Sequence, residues 1–248
     1  MDDHTFTLTG ALTDLHSYPQ WAIDMVEACA PAKRRLVGHE LFARMRDAAL
    51  APAATANFLV GSWPVIEQFP KYMALNICKT VHGRSRGDDM ARRFLMRNIR
   101  IEQHHAEMWL NWAGACGISR NDVFNSELAC ETRALPNWCL ASAGNDTLAA
   151  SMAATNYAIE GAAGEWTVLV CASDAYEQSF TESAREHGIG WLKAHAHYDD
   201  THPWEALEIV CTLMGTKPAA RDVAHLRQCV THSYDYMTMM MDRALQAP

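Results

Sequence analysis

Apolar residues recur along most of this chain at intervals of three and four, the spacing that gathers them on one side of a helix. The pattern predicts helices near 19–30, 33–49, 52–81, 87–116, 119–131, 145–172, 174–200, 203–214 and 217–246. Start signals support several of them: Asp88 before Met90-Ala91-Arg92, Asn145 before an alanine-rich stretch, and Thr216 followed by Pro218. The one β-branched cluster, Thr167 to Val170, falls inside a helical pattern rather than between turn residues, so the expected fold class is all-α. No repeat, low-complexity tract or long Pro/Gly/Ser linker divides residues 1–248, and a single compact helical bundle is expected.

Composition narrows the classes of function. The 248 residues are 49% hydrophobic, enough for a sizeable core, and 29 acids against 21 bases leave a formal net charge of -8. Non-specific nucleic-acid binding relies on a basic footprint that this balance does not supply. No apolar run approaches the roughly 20 residues needed to span a bilayer, and Met1-Asp2-Asp3-His4 lacks the basic start of a secretory signal. A cytoplasmic protein is expected. The eight cysteines are scattered without a Cys-x-x-Cys pair and read as reduced thiols. Twelve histidines and eight tryptophans are the unusual entries, and they lead to the chemistry.

On a helical wheel of 87–116, Leu95, Asn98, Glu102, His105, Trp109 and Trp112 share one stripe, while Arg93, Arg97, Arg100 and His104 lie nearly opposite. Glu102 and His105 therefore face inward among tryptophans. A carboxylate and an imidazole left there unpaired would cost several kcal/mol, so a partner is required. The segment Trp191 to His202 repeats the arrangement: His195, Asp199 and His202, four and three apart, form one column on a continuous helix, with Lys193, His197 and Asp200 turned away. A third element, Asn156 to Gly164, sets Glu160 on a stripe with Ala149, Ala153, Asn156, Gly164 and Thr167. Such small neighbours let another helix or a cofactor approach closely.

Alone, Glu-x-x-His is a common helix-surface pair. Together the three segments offer three imidazoles and three carboxylates from one all-α chain, a nitrogen and oxygen set without thiolate that suits iron or manganese better than structural zinc. Six ligands in a bundle suggest two metals, as in carboxylate-bridged di-iron bundles, yet only one Glu-x-x-His is present. Two ferrous ions would outweigh the three carboxylates by about one positive charge, which invites an anionic ligand. Pro203 removes the amide that would bond the carbonyl of Asp199, so the helix should bend or restart beside His202 and leave the second metal loosely held.

The order Glu102-x-x-His105, Glu160, His195-x-x-x-Asp199-x-x-His202 resembles the haem-oxygenase-like di-iron oxidases, relatives of the TenA and PqqC proteins, and within them the UndA-type fatty-acid decarboxylases that form 1-undecene. Ser17-Tyr18-Pro19, Lys33-Arg34-Arg35, Gly61 to Phe69, Met90-Ala91-Arg92-Arg93, Asn156 to Trp166, Tyr198 to Ile209 and Ser233-Tyr234-Asp235-Tyr236 also look like segments of that family. The resemblance implies a haem-oxygenase-like bundle without haem, with Fe(II), dioxygen and an external reductant acting on a medium-chain fatty acid such as lauric acid. A hydrogen would leave the β-carbon and carbon dioxide would depart, giving a terminal alkene. Glu102, His105 and His195 would form the better-held iron site, Asp199 and His202 the second, with Glu160 serving either or bridging both. The electron donor and acyl chain length are not implied, and a homo-oligomer is left open.

Other signals carry less. Glu67 reads as a paired or solvated helix acid, and the methionines around Met239 read as core packing at least as well as a tunnel lining. The rival within the fold is a TenA-like thiamin-degrading hydrolase, an aminopyrimidine aminohydrolase, with Cys78 or Cys139 as nucleophile; neither has an adjacent histidine or helix start to activate it. A non-enzymatic small-molecule-binding regulator would make the six residues a buried ion-pair network.

Overall fold

The computed structural model describes residues 4–196 and 201–246. The elements, in order, are helices α1 (Gln20–Val37), α2 (Glu40–Arg46), α3 (Pro52–Ile77), α4 (Arg86–Ala115), α5 (Arg120–Asn125), α6 (Cys130–Asn145) and α7 (Leu148–Met152). A π-helical segment, Ala153–Ile159, joins α7 to α8 (Glu160–Cys171), followed by α9 (Ala175–Gln178), α10 (Glu182–Ala196), α11 (His202–Met214) and α12 (Ala220–Leu245). A single 3-10 turn, Leu15–Ser17, precedes α1, and no strand occurs among the described residues. Thr167 to Val170 lie within α8, as the pattern predicts.

Helix α4 packs against α3 on one side and α10 on the other, and α12 lies across α1, α3, α6 and the π segment. The buried apolar residues form one continuous cluster. Its centre is aromatic: Trp166 stacks on Phe42 with centroids 4.5 Å apart, and Trp109, Trp112 and Trp191 gather beside them. The indole nitrogens of Trp109 and Trp112 donate to the Leu59 carbonyl at 2.8 Å and the Tyr176 hydroxyl at 2.9 Å, which lets polar atoms sit in so apolar a place.

Several boundaries differ from the pattern for identifiable reasons. The break expected near residue 31 is absent because Pro31 sits on the exposed face of α1, where water can satisfy the carbonyl that loses its bond. The predicted helix 119–131 is two elements, and α6 was not foreseen beyond its start because Pro136 interrupts its periodicity. Asn145 ends α6 instead of starting the next helix; the cap of α7 is Thr147, whose hydroxyl accepts from the Ala150 amide at 3.2 Å. Ser85, not Asp88, caps α4: its hydroxyl accepts from the Asp88 amide at 3.1 Å, and Arg84 pairs with the buried Asp88 carboxylate. The expected helix 174–200 divides into α9 and α10, and residues 197–200 lie outside the described segments. Helix α11 begins at His202 with Pro203 in its first turn, the restart that the proline dictates.

All eight cysteines are free thiols. Glu67 pairs with Lys71 one turn on, and Met237, Met240 and Met241 are buried in the core. No described helix is long and apolar enough to cross a membrane.

Candidate metal centre

The unbroken period of α4 buries Leu95, Asn98, Glu102, Trp109 and Trp112 on one face while Arg93, Arg97, Arg100 and His104 are exposed on the other. From this face Glu102 and His105 reach a cavity of about 460 Å³ that Glu160, His195 and His202 also line. Five of the six residues singled out by spacing thus meet in one place, delivered by four helices. The sixth, Asp199, lies outside the described residues. His195 and His202 do not share one continuous helix: they come from α10 and from the first residue of α11, and converge all the same.

Close packing explains part of the convergence. A Cβ added at Gly161 would lie 3.3 Å from the Cβ of Pro203, so the bare backbone of α8 and the pyrrolidine ring of α11 touch where Glu160 and His202 are presented. Arg97 on α4 pairs with Glu205 on α11 and ties down the same start from the solvent side. Glu160 is the first residue after the π segment, and its Oε1 accepts from the Asn156 side-chain amide at 2.9 Å. π-Helical turns often occur at functional sites, where the extra residue re-aims a side chain.

The imidazoles are held in defined states. His195 Nδ1 lies 2.9 Å from the Trp191 carbonyl, and His105 Nδ1 lies 2.8 Å from Glu102 Oε2. A carbonyl only accepts, so His195 Nδ1 carries the proton and its Nε2 is the atom left for a metal. The two rings are 4.6 Å apart, and the His195 ring stacks on Trp191 at 3.8 Å. Desolvation holds the His195 imidazole down to about 4, and the neighbouring His105 pushes the same way. Near pH 7 the ring is therefore neutral, the form that binds a metal. His202 meets Phe94 edge-on, centroids 6.2 Å apart.

These donors fit iron. They combine neutral nitrogens with carboxylate oxygens, no cysteine lines the cavity, and each histidine with a hydrogen-bonded Nδ1 has the outer support that metal-bound imidazoles use. Arg100 and His104, placed on the outer face by the wheel, also line the cavity, because it opens toward the solvent side of α4. No periodicity signal could have found them. The Asn156 role was foreshadowed by its place on the Glu160 stripe. Ile101, Met108 and Ala194 complete the wall, and His195 also borders a smaller cavity of about 240 Å³ with Tyr157, Pro203 and Trp204.

Comparison with known proteins places this geometry in a lineage. Residues 56–235 match the family described as iron-containing redox enzymes. A TenA homolog from Pseudomonas syringae pv. tomato is 51% identical, covers 98% of this chain and 99% of its own, and superposes with a TM-score of 0.96. A domain of unknown function with a haem-oxygenase-like fold from Shewanella denitrificans is 16% identical over 94% of this chain and 93% of its own, TM-score 0.70. A putative TenA-like thiaminase from Sulfolobus solfataricus is 14% identical over 90% and 94%, TM-score 0.64. No curated protein sequence matches. With the family matched over most of its length, the chain belongs to the iron-containing redox enzymes of haem-oxygenase-like, TenA-related fold.

Proposed function

We propose that the cavity holds ferrous iron, in two sites of unequal strength, and that the protein oxidatively decarboxylates medium-chain fatty acids to terminal alkenes. The supporting observation is the meeting of Glu102, His105, Glu160, His195 and His202 at one cavity with no cysteine in its wall. Asp199, three residues before His202, is assigned to the second iron. Bound iron supplies dioxygen activation; an external reductant supplies two electrons, and the acid leaves as alkene and carbon dioxide while dioxygen leaves as water.

The chain's own residues give the rest. Glu102, His105 and His195 hold the first ion, Glu160 is kept in place by Asn156, and Arg100 at the cavity edge offers a guanidinium to a carboxylate. Ile101, Met108 and Ala194 present apolar surface to the carbon chain. The cavity's volume of about 460 Å³ falls in the range of small-molecule sites. The deciding experiment incubates iron-loaded protein with C10 to C14 fatty acids, dioxygen and a reductant and samples the headspace. A terminal alkene one carbon shorter than the acid is expected; none from any chain overturns the reading.

A second reading is hydrolysis of thiamin or its aminopyrimidine breakdown products. The names carried by the relatives, TenA homolog and putative TenA-like thiaminase, favour it over the decarboxylase resemblance. Against it stand the cysteines: Cys139 is fully buried with its thiol pushed far up by burial, Cys78 is exposed at the end of α3, and neither lines the cavity. Metal-free protein that cleaves thiamin would establish it.

A further inference from the structure

Away from the cavity, where α6 ends against the first turns of α12, three donors of different chemistry converge. Asp146 caps α6, and His225 and Cys229 stand one turn apart on α12. His225 Nε2 is 3.1 Å from Asp146 Oδ1, Cys229 Sγ is 3.6 Å from His225 Nε2, and Sγ is 4.0 Å from Asp146 Oδ2. Donors around a tetrahedral zinc, at about 2.0 to 2.3 Å from the ion, stand roughly 3.3 to 3.6 Å from one another. The imidazole nitrogen stands at about that spacing from one Asp146 oxygen and from the sulfur, and the sulfur is 4.0 Å from the other Asp146 oxygen, so small side-chain shifts would seat an ion among the three residues. The ligand atoms of the group all lie within 4.8 Å of one another.

We infer that Asp146, His225 and Cys229 form a second, independent metal site that binds zinc or a similar borderline divalent cation through three protein ligands. A water molecule in the fourth position would complete it, since His225 is exposed on that side. The oxygen, nitrogen and sulfur set is unlike the thiolate-free donors of the cavity and selects a softer ion.

The environment argues against the obvious alternative, a reactive thiol. Burial and the Asp146 carboxylate push the Cys229 thiol up to about 12, and the Asp146 contact through Nε2 leaves no relay in which the acid could orient the imidazole for proton abstraction. A divalent cation reverses the effect, because it is attracted by the carboxylate and the thiolate together. The S–H bond breaks, its proton passes to solvent, and sulfur bonds the metal. Lys79 is the competing cation: its ammonium donates to the Ser142 carbonyl at 3.3 Å and is attracted by the Asp146 carboxylate, so the metal has to displace that attraction.

The consequence would be structural. Ser233, one turn beyond Cys229, accepts from the Trp138 indole at 3.0 Å and donates to the Ala154 carbonyl at 2.8 Å inside the π segment that leads to Glu160. A metal clasp between α6 and α12 would stiffen the helix that braces this segment.

The test uses the full chain stripped by chelator and titrated with cobalt(II), whose thiolate complexes absorb in the near ultraviolet, and with zinc. One thiolate-bearing cobalt per chain is expected, bound to the stripped protein with release of about one proton at neutral pH and displaced by zinc with no further release. The band should disappear in Cys229→Ser and in His225→Ala, and persist in His195→Gln, which disables the cavity. With the cavity disabled by His195→Gln, zinc should raise Tm, and should no longer do so once His225→Ala is added, an exposed substitution that spares the core if Cys229→Ser fails to fold. The inference is overturned by absence of the band, or by a band that survives His225→Ala.

Discussion

Glu160 stands where one side-chain contact has disproportionate leverage. Its Oε1 is fixed by the Asn156 amide at 2.9 Å, and Asn156 is itself wholly buried. Partners of metal ligands typically govern affinity by about 10–100-fold. Asn156→Ala should therefore weaken ferrous binding by about that factor while leaving the helical circular dichroism unchanged, as anaerobic titration would show. His195→Gln is the stronger case. It removes an imidazole whose Nδ1 is locked to the Trp191 carbonyl, and on the proposed decarboxylation alkene formation should fall below detection, with iron content measured alongside. At this scale the sequence was informative because a buried acid or imidazole is costly without a partner. The spacing of Glu102 and His105 among tryptophans marks such a cost, and the cavity is where it is met. Arg100 and His104 were not legible, since a helical wheel ranks direction only and ignores how far a long side chain reaches around a rim.

Among the elements, the junction between α10 and α11 carries the sharpest expectation. Pro203 restarts the helix at His202, so this residue, assigned to the second iron, stands at a helix start, whereas Glu102 and His105 lie in mid-helix on α4. Anaerobic ferrous titration without substrate should give one tight and one weak equivalent; two equally tight sites would refute the link between the proline and the weak site. The brace of the π segment is open to a different measurement. Ser233 is fully buried and joins Trp138 to the Ala154 carbonyl, so Ser233→Ala should cost about 1–3 kcal/mol in urea unfolding by orphaning both partners. Helices were readable where the period of three and four ran unbroken, as through the thirty residues of α4. Helix α6 escaped because Pro136 breaks its pattern, and the π segment escaped because its extra residue per turn depends on packing against α11 and α12, which no local signal encodes.

For the molecule as a whole, the cavity is one edge of its aromatic centre rather than a separate compartment. Trp166 lies between Phe42 at 4.5 Å and Trp191 at 5.5 Å, so Trp166→Ala should cost about 3–5 kcal/mol and loosen the seat of His195 with it. The all-α class and single core were legible because helical periodicity and apolar content act over the entire chain. Which α/α relative this is in chemical terms depends on a few residues, and Gly161 against Pro203 shows how little chain is needed to bring two ligands together. The stacking of Trp191 on His195 at 3.8 Å has an optical consequence. Indole emission from Trp191, and from Trp109, Trp112 and Trp166 within 6.0 Å of it, should be quenched when a paramagnetic ferrous ion occupies the cavity. On the proposed iron site, these indoles would serve as a built-in fluorescent gauge of metal loading, readable by titration without any added dye.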